Sequence, residues 1–448
     1  MARAVVSHVC SECGARSSMA LGRCPRCGSW GTLVEERNAP TATGRLPGLP
    51  KSAGPLSSFA LDDVTDAELV RIPAGDDEVD RVLGGGWVSG AAVLLTGEPG
   101  IGKSTLLLQL ARNAATAGRQ VLYVAGEESP AQVRLRADRL GIGPGLRLTR
   151  ETSAATLAAH LLDSAPQLVI VDSIQTMTAE DGAVPGTLSQ VRDATAMLID
   201  AAKLSSSTLV LIGHVTKQGT VAGPKVIEHM VDATLTLESA ADMRVLRAMK
   251  NRYGPSGEVG VFEMTGTGLR AVPNPSEAFL AERPHGVPGS VVTAVLEGQR
   301  PLLLEVQALA SKSPYPAPRR VVQGLDQRRV DVVLAVLERR LGLPLDGLDV
   351  YVNVAGGMRL TDPGADLAVA VATYSAVTNK PLPEATAFVG EIGLAGELRS
   401  VAQLGRRLQE ATRAGHGRLI GPRSAELRLG FATLAEALAA AWHDDGQP

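Results

Sequence analysis

The sequence predicts an α/β protein built from a small cysteine-bearing module, a parallel-sheet core and a second α/β domain. Three observations carry this prediction. All four cysteines lie between residues 10 and 27, short apolar runs alternate with helical patterns from about residue 59, and a second such series follows a Pro- and Gly-rich stretch at 274–290. Since single hydrophobic cores stop growing beyond about 250–300 residues, a chain of 448 residues is expected to form more than one folded unit.

The composition restricts the kind of partner that the protein can have. Lysine and arginine number 44 and the acidic residues 47, which gives a formal net charge of −3, so a nucleic-acid site would have to be a local patch. No run of about eighteen uncharged apolar residues occurs, and the first residues lack a secretory signal pattern. We therefore expect a cytoplasmic protein without a membrane partner.

The four cysteines form two C-x-x-C pairs, Cys10 with Cys13 and Cys24 with Cys27, within residues 1–36. Thiolates are soft donors, and four of them complete the tetrahedral shell of a structural zinc ion. A redox pair and unliganded core cysteines are the alternatives. The pattern favours a zinc ribbon or knuckle, whose positive face would carry three arginines: Arg16, Arg23 and Arg26.

The chain beyond this module divides into a linker and two domains. Residues 37–58 are rich in Pro, Gly, Ser and Ala, a composition typical of a flexible linker. Residues 59–272 contain the apolar runs AAVLLTG, QVLYVAG, QLVIVDS, TLVLIGH and ATLTLES, which we interpret as strands of a sheet joined by crossover helices. Residues 273–448 repeat this alternation and are expected to have a core of their own.

Residues 97–104, GEPGIGKS, match the phosphate-binding pattern G-x-x-x-x-G-K-[ST] at every fixed position, between a predicted strand and a predicted helix. In this pattern the glycines let backbone amides face the β-phosphate, the lysine reaches the β- and γ-phosphates, and the hydroxyl holds magnesium. Lys103 and Ser104 would take the last two roles. The full predicted ATP-binding set is Gly97, Glu98, Pro99, Gly100, Ile101, Gly102, Lys103, Ser104 and Thr105.

Three acidic residues follow predicted strands, where they can reach a bound nucleotide. Asp172 ends the run QLVIVD and would orient the magnesium ion together with Ser104, unless it is a helix-capping aspartate. Glu127 and Glu128 follow the run QVLYVAG. One of them would polarise the attacking water, with Glu127 the preferred candidate, unless both are solvated loop acids.

Two basic segments lack an obvious role in a core. TKQGTVAGPK carries Lys217 and Lys225 and fits a loop that contacts DNA phosphates, or else an ordinary polar loop. KNRYG carries Lys250 and Arg252. These two cations could act on the nucleotide of a neighbouring subunit, as arginine fingers do, or lie in a hairpin turn with incidental charge.

The chain closely resembles, over nearly its whole length, the RadA (Sms) family of bacterial DNA repair proteins. The resemblance rests on the cysteine module, GEPGIGKST, VDSIQTM, HVTKQGTVAGPKVIEHMVD and KNRYG, in this order. KNRYG is the family's signature, with Tyr253 where Phe is usual. The resemblance implies a RecA- and DnaB-like ATPase that uses ATP, Mg²⁺ and Zn²⁺. It also implies a homo-hexameric ring, stimulation by single-stranded DNA, branch migration of recombination intermediates, and the RecA recombinase as a partner.

The domain at residues 273–448 resembles the proteolytic domain of Lon proteases, in which a lysine activates a nucleophilic serine. On that resemblance Gly364 stands at the serine position and Gly405 stands near the lysine position, so peptide hydrolysis is not expected. The domain is expected instead to support assembly and DNA binding. Its candidate phosphate contacts are Arg319, Arg320, Arg328 and Arg329, unless these arginines form a solvated helix face.

Three functions from different classes follow from these motifs. A DNA-stimulated ATPase motor acting on single-stranded and branched DNA accounts for every motif. An ATP-dependent protease would explain the Lon resemblance but lacks the nucleophile at Gly364. A zinc-bearing regulatory adaptor switched by ATP is also compatible with the sequence.

Overall fold

The computed structural model describes residues 5–12, 15–17, 19, 21–38, 70–143, 145–180, 182–213, 226–240 and 242–443. The chain divides into two compact units. The first comprises residues 1–238, 246–256 and 264–271, and the second comprises residues 239–245, 257–263 and 272–448. Both units combine strands with helices, which confirms the predicted α/β fold class.

The cysteine-bearing module is a small antiparallel sheet with strand order β2-β1-β3. Its strands are β1 (Val5–Cys10), β2 (Arg16–Ser17) and β3 (Leu33–Asn38). The register of β1 and β3 places Val5 opposite Asn38, so β3 continues past the predicted module boundary at residue 36. Residues 39–58 of the predicted linker lie outside the described residues.

The P-loop domain alternates strands and helices along the chain. Its elements are β4 (Arg71–Ile72), α1 (Asp77–Leu83), β5 (Trp87–Val88), β6 (Ala92–Gly97), α2 (Lys103–Thr116), β7 (Val121–Ala125), α3 (Pro130–Arg139), β8 (Arg147–Thr149), α4 (Ala154–Ser164), β9 (Leu168–Asp172), α5 (Leu188–Ser205), β10 (Thr208–Ile212), β11 (Ala233–Ala240), β12 (Met243–Asn251), β13 (Val259–Thr265) and β14 (Gly268–Ala271). The main sheet has the order β14-β13-β12-β11-β6-β10-β9-β7-β8. Its strand pairs from β11 through to β8 are all parallel.

The central strands β6, β7, β9 and β10 are buried at every position. Continuous burial is expected for parallel strands that helices cover, and it explains why these segments are apolar runs without alternation. Parallel strands end at the same edge of a sheet, and Ala125 at the end of β7 lies opposite Asp172 at the end of β9. The loops that follow β6, β7 and β9 therefore meet at one edge.

The second unit has a seven-stranded mixed sheet with the order β17-β18-β16-β15-β19-β22-β23. Its elements are α6 (Pro275–Leu280), β15 (Ser290–Glu297), β16 (Arg300–Lys312), β17 (Arg320–Gln323), α7 (Gln327–Leu341), β18 (Leu348–Val354), α8 (Asp366–Thr378), β19 (Thr386–Phe388), β20 (Glu391–Ile392), β21 (Leu398–Arg399), α9 (Leu404–Arg413), β22 (Arg418–Pro422), β23 (Leu429–Phe431) and α10 (Leu434–Ala441). Across the described parts of both units, no helix has the length and hydrophobicity that crossing a membrane requires.

Helices cover both faces of this second sheet, because successive residues of β15 enter different cores. Val291 belongs to the cluster that contains α7, α8 and α10, whereas Val292 and Ala294 belong to the cluster that contains Leu404 of α9. This alternation follows from the two-residue period of a strand. The sheet is therefore the middle layer of a three-layer unit.

The second unit also takes in the far parts of β11, β12 and β13, because they share its core. Ala240 and Val245 pack in one cluster with Leu302. For this reason residues 239–245 and 257–263 group with the second unit, although they precede the predicted domain boundary. A strand pattern in the sequence does not reveal which core each half of a long strand joins.

A buried ion pair links α9 to the sheet of the second unit. The Arg407 side chain is 1% exposed and pairs with Asp362. Its guanidinium also donates to the carbonyl oxygens of Ala294 at 2.7 Å and Ala402 at 2.9 Å, and Asp362 accepts the N–H of Leu296 at 2.7 Å. Each charge is compensated where water is excluded, so losing one partner would leave the other buried and unpaired.

We predict that Arg407→Leu lowers the free energy of unfolding by about 3–5 kcal/mol, because the Asp362 carboxylate would stay buried without its cation. Arg406→Leu is the matched control, since Arg406 is exposed on the same helix and its replacement should change stability by less than about 0.5 kcal/mol. Urea unfolding of the full chain, followed by circular dichroism, measures both variants. Equal midpoints for the two variants would contradict the role given to the pair.

Candidate functional site: the P-loop edge and the cysteine cluster

The loop between β6 and α2 has a backbone that requires glycine at two positions. Gly97 and Gly102 have φ angles of 148° and 117°. A Cβ on Gly97 would lie 2.4 Å from the Leu237 carbonyl oxygen, and one on Gly102 would lie 2.8 Å from Cε of Met264. The loop leads into the first turn of α2, whose unpaired N–H groups and dipole favour an anion. The predicted nucleotide-binding residues, 97–105, run from the last residue of β6 along this loop and into the first turn of α2.

The side chain of Lys103 is buried beneath the loop. Its Nζ donates to the carbonyl oxygens of Gly97 at 2.8 Å and Glu98 at 3.0 Å. Burial lowers the pKa of Lys103, and the negative charges of Asp172 and Glu127 oppose this shift. The amine is therefore held inside the loop and beside two carboxylates, within reach of a phosphate bound by the loop amides.

Asp172 lies at the end of β9, where it is 6% exposed. One of its carboxylate oxygens accepts a hydrogen bond of 2.6 Å from the hydroxyl of Tyr123 on β7. Burial raises the pKa of Asp172, while hydrogen bonds from Tyr123 and Ser104 oppose the rise. The structure thus brings Asp172 and Ser104 together, and a carboxylate with a hydroxyl is a donor set that suits magnesium.

The two glutamates after β7 have different surroundings. Glu127 is exposed and accepts a hydrogen bond from the hydroxyl of Ser173, the buried residue next to Asp172. Glu128 is half-buried and forms an ion pair with Arg136 of α3. Arg136 engages the Glu128 carboxylate, whereas the Glu127 side chain is exposed, so the arrangement favours Glu127 as the residue that could polarise water.

Lys250 is bound by carbonyl groups of its own chain. Its Nζ donates to the carbonyl oxygens of Glu228 at 2.9 Å, His229 at 3.4 Å and Val231 at 2.7 Å. These acceptors follow closely after residues 214–225, which lie outside the described residues together with the predicted DNA contacts Lys217 and Lys225. Lys250 therefore ties the end of β12 to the segment that leaves this basic stretch.

Arg252 connects the KNRYG segment to β6 through Asp232. Its guanidinium lies 3.1 Å from Asp232, and its side chain is 55% exposed. The other oxygen of Asp232 accepts the N–H of Ala92, the first residue of β6, at 3.0 Å. A chain of polar contacts thus runs from Arg252 to the strand that carries the P-loop.

The four candidate arginines of the second unit differ in whether their guanidinium groups are already hydrogen-bonded within the unit. Arg319 and Arg328 are exposed. Arg320 donates to backbone carbonyl groups of its own unit. Arg329 donates two hydrogen bonds to the buried Asp366, which fixes it at the start of α7.

A side chain at Gly364 would meet a buried guanidinium, whereas one at Gly405 would meet the end of the exposed Glu426 side chain. A Cβ on Gly364 would lie 2.9 Å from a guanidinium nitrogen of Arg407, and one on Gly405 would lie 2.7 Å from a carboxylate oxygen of Glu426. Arg407 thus fills the space beside Gly364.

The cysteine module holds three described thiols close together. The sulfur atoms of Cys10, Cys24 and Cys27 lie within 4.8 Å of one another, and those of Cys10 and Cys27 are 3.6 Å apart. Cys13 lies outside the described residues. Thiolates at this spacing can share one tetrahedral metal ion, so the three described cysteines fit the predicted site.

Known proteins resemble this chain over nearly its full length. DNA repair protein RadA of Bacillus subtilis (strain 168) is 42% identical over 453 aligned residues, which cover 98% of this chain and 99% of the relative. The chain belongs to the RadA family. The RadA protein of Pseudomonas aeruginosa is 46% identical, and the alignment covers 94% of this chain and 94% of the relative. The RadA protein of Mycobacterium tuberculosis is also 46% identical, and the alignment covers 93% of this chain and 87% of the relative.

Three family patterns match successive parts of this RadA-family chain. A rubredoxin metal binding domain matches residues 8–35, an AAA domain matches residues 57–220, and the ChlI subunit of Mg-chelatase matches residues 323–425. Their order confirms the predicted metal module, ATPase core and C-terminal α/β domain. The crystal structure of a KaiC-like protein from Pyrococcus horikoshii aligns with 46% of this chain and with 100% of the KaiC-like chain. The sequence identity is 18% and the TM-score is 0.40.

The sequence motifs of this RadA-family protein do not include the residues that hold the site acids. Tyr123 and Ser173 donate to Asp172 and Glu127, and Arg136 pairs with Glu128. One sequence signal was available, because a tyrosine inside a buried strand needs a partner for its hydroxyl. Its partner Asp172 lies 49 residues further along the chain, so only the pairing of β7 with β9 reveals it.

We predict that Tyr123→Phe raises the Mg²⁺ concentration required for half-maximal binding of a fluorescent ATP analogue by at least about tenfold. The variant removes one hydrogen bond to a charged group, worth about 1.5–3 kcal/mol, and leaves Asp172 less well oriented. Tyr374→Phe serves as the control, because Tyr374 belongs to the second unit and packs against Trp442. An unchanged Mg²⁺ requirement in Tyr123→Phe would show that the hydroxyl does not position Asp172 for the metal.

Proposed function

We propose that this protein is a DNA-stimulated ATPase that processes recombination intermediates in DNA repair, acting as a ring-shaped motor that drives branch migration on single-stranded DNA. The observation that carries the proposal is the meeting of Lys103, Asp172 and Glu127 at the P-loop edge in a member of the RadA family. A homo-hexameric ring, branched DNA as a substrate and the RecA recombinase as a partner belong to the same proposal.

In the proposed reaction the loop amides and Lys103 bind the β- and γ-phosphates of ATP and stabilise the charge that develops on the transferred group. Ser104 and Asp172 would hold Mg²⁺, which when bound neutralises phosphate charge. Glu127 orients a water molecule towards the γ-phosphate, and the Ser173 hydroxyl fixes the position of its carboxylate.

The basic segments would couple this site to DNA. Lys217 and Lys225 would contact DNA phosphates, and Lys250 would hold the segment that follows them to β12 through three carbonyl groups. Arg252 is half exposed and contacts Asp232, which is bonded to β6. We propose that its exposed portion acts on the nucleotide of a neighbouring subunit, so that DNA contact and hydrolysis are linked through β6 and β12.

We propose that the second unit is a platform for DNA and assembly without peptidase activity. Gly364 supplies no oxygen nucleophile, Gly405 supplies no amine, and the buried Arg407 beside Gly364 supports the loss of the serine–lysine pair. Among the candidate arginines, Arg319 and Arg328 are the best placed for phosphate contacts, since Arg329 is bound to Asp366.

We also propose that the metal of the cysteine module is zinc. The protein as purified is expected to contain about one zinc ion per chain, because four thiolates complete a structural zinc site. A thiol-modifying reagent should release this zinc, which a colorimetric chelator measures. Metal analysis that finds none, with the cysteines recovered as disulfides, would contradict the proposal.

We predict that single-stranded DNA raises the rate of ATP hydrolysis several-fold, and that Lys103→Ala abolishes hydrolysis with and without DNA. The amine stabilises transition-state charge, so its loss should lower the rate by at least about a hundredfold. The measurement compares single-stranded, duplex and branched DNA at one salt concentration, because DNA affinity depends steeply on salt.

The ATPase measurement and a casein digestion assay separate the alternative functions. ATP hydrolysis that no DNA stimulates would favour the ATP-switched regulatory adaptor over a motor. Digestion of casein by the wild-type protein, absent in Lys103→Ala, would show that the second unit retains peptidase activity, which the proposal excludes.

A further inference from the structure

The cysteine module exposes a large aromatic side chain. Trp30 is 75% exposed, whereas Trp87 is 2% exposed. The third tryptophan of the chain, Trp442, packs against the ring of Tyr374 at 5.5 Å and donates from its indole nitrogen to the carbonyl oxygen of Pro381. Exposing an indole costs hydrophobic free energy, and exposed aromatic rings are common in recognition surfaces.

The surroundings of Trp30 hold its ring beside a cation. The Arg23 guanidinium lies over the indole, 5.9 Å from its centroid, and donates to the carbonyl oxygen of Gly28 at 2.7 Å. Arg23 and Trp30 also face each other in a β-bridge. Gly22 lies beneath the edge of the ring, since a Cβ there would be 3.6 Å from it. The indole and the guanidinium are therefore placed by the backbone.

The stretch of chain that carries this pair is basic. From residue 21 to residue 34 the sequence contains Arg23 and Arg26 and no aspartate or glutamate. Both arginines are exposed. A flat ring beside cations matches a ligand that offers a flat ring and a negative charge together, as an unpaired nucleotide does.

We propose that Trp30 and Arg23 form a stacking platform for an unpaired nucleobase, with Arg26 contacting the adjoining phosphate. The proposal rests on the proposed function, because it assigns part of the single-stranded DNA site to the cysteine module. Duplex DNA keeps its bases stacked inside the helix, so the platform selects single strands. The cations favour a nucleotide over an apolar protein segment as the occupant of this surface.

The fluorescence of the chain offers a direct test on the full-length protein. Of the three tryptophans, Trp87 is buried and Trp442 is packed, so Trp30 is the one that a base can stack upon. A short deoxythymidine oligomer is expected to quench the tryptophan emission of the wild type, and a duplex of the same length is not. Trp30→Phe should remove this quenching while retaining most of the affinity, because a phenyl ring still stacks.

Affinity and its salt dependence distinguish stacking from charge. Trp30→Ala should weaken binding of the oligomer about tenfold without changing the slope of affinity against salt, because it removes no phosphate contact. Arg26→Ala should reduce the magnitude of that slope by about 0.7. Met19→Ala, which removes another exposed apolar side chain of the module, is the matched control and should bind like wild type. Metal content equal to wild type verifies the fold of each variant.

The outcomes separate this proposal from the proposed function. Wild-type protein that binds the oligomer without quenching, together with full affinity in Trp30→Ala, would overturn the platform and leave DNA stimulation intact. Wild-type protein that does not bind the oligomer would overturn both. Trp30 emission that responds to the RecA recombinase and not to DNA would assign the surface to a protein partner and also overturn the platform.

Discussion

The alignment of parallel strand ends is the constraint on which the rest of the first unit depends. Strands β6, β7 and β9 are buried along their whole length, so their charged residues can lie only where the strands stop. All three stop at one edge. The P-loop, Glu127 and Asp172 meet there although the sequence separates them, and this meeting forms the candidate functional site.

Buried carboxylates in both units are held by donors from other elements. Asp172 accepts from Tyr123, Asp232 from the backbone of β6, and Asp362 from Arg407. An unpaired buried carboxylate would cost several kcal/mol, so each acid is found with a donor set already in place. In the first unit such contacts orient a candidate site. In the second unit the contact between Asp362 and Arg407 occupies the space beside Gly364 and stabilises the fold.

Under the proposed function, the second unit keeps a Lon-like fold without peptidase activity. The Lon-like position that would carry a nucleophile is Gly364, and a buried arginine lies against it. The strands, helices and cores remain complete without a catalytic pair. Under the same proposal, the unit contributes its surface, on which the exposed Arg319 and Arg328 are the candidate phosphate contacts.

The sequence by itself determined the features that depend on neighbouring residues. The P-loop, the paired cysteines and the α/β alternation were predictable, because each depends on residues that are neighbours in the chain. Only the tertiary structure decided that Glu128 pairs with Arg136, that Lys250 binds carbonyl groups of its own chain, and that parts of β11 to β13 join the second core. These outcomes depend on contacts between side chains of different elements. The order of residues along the chain does not show which of these contacts forms.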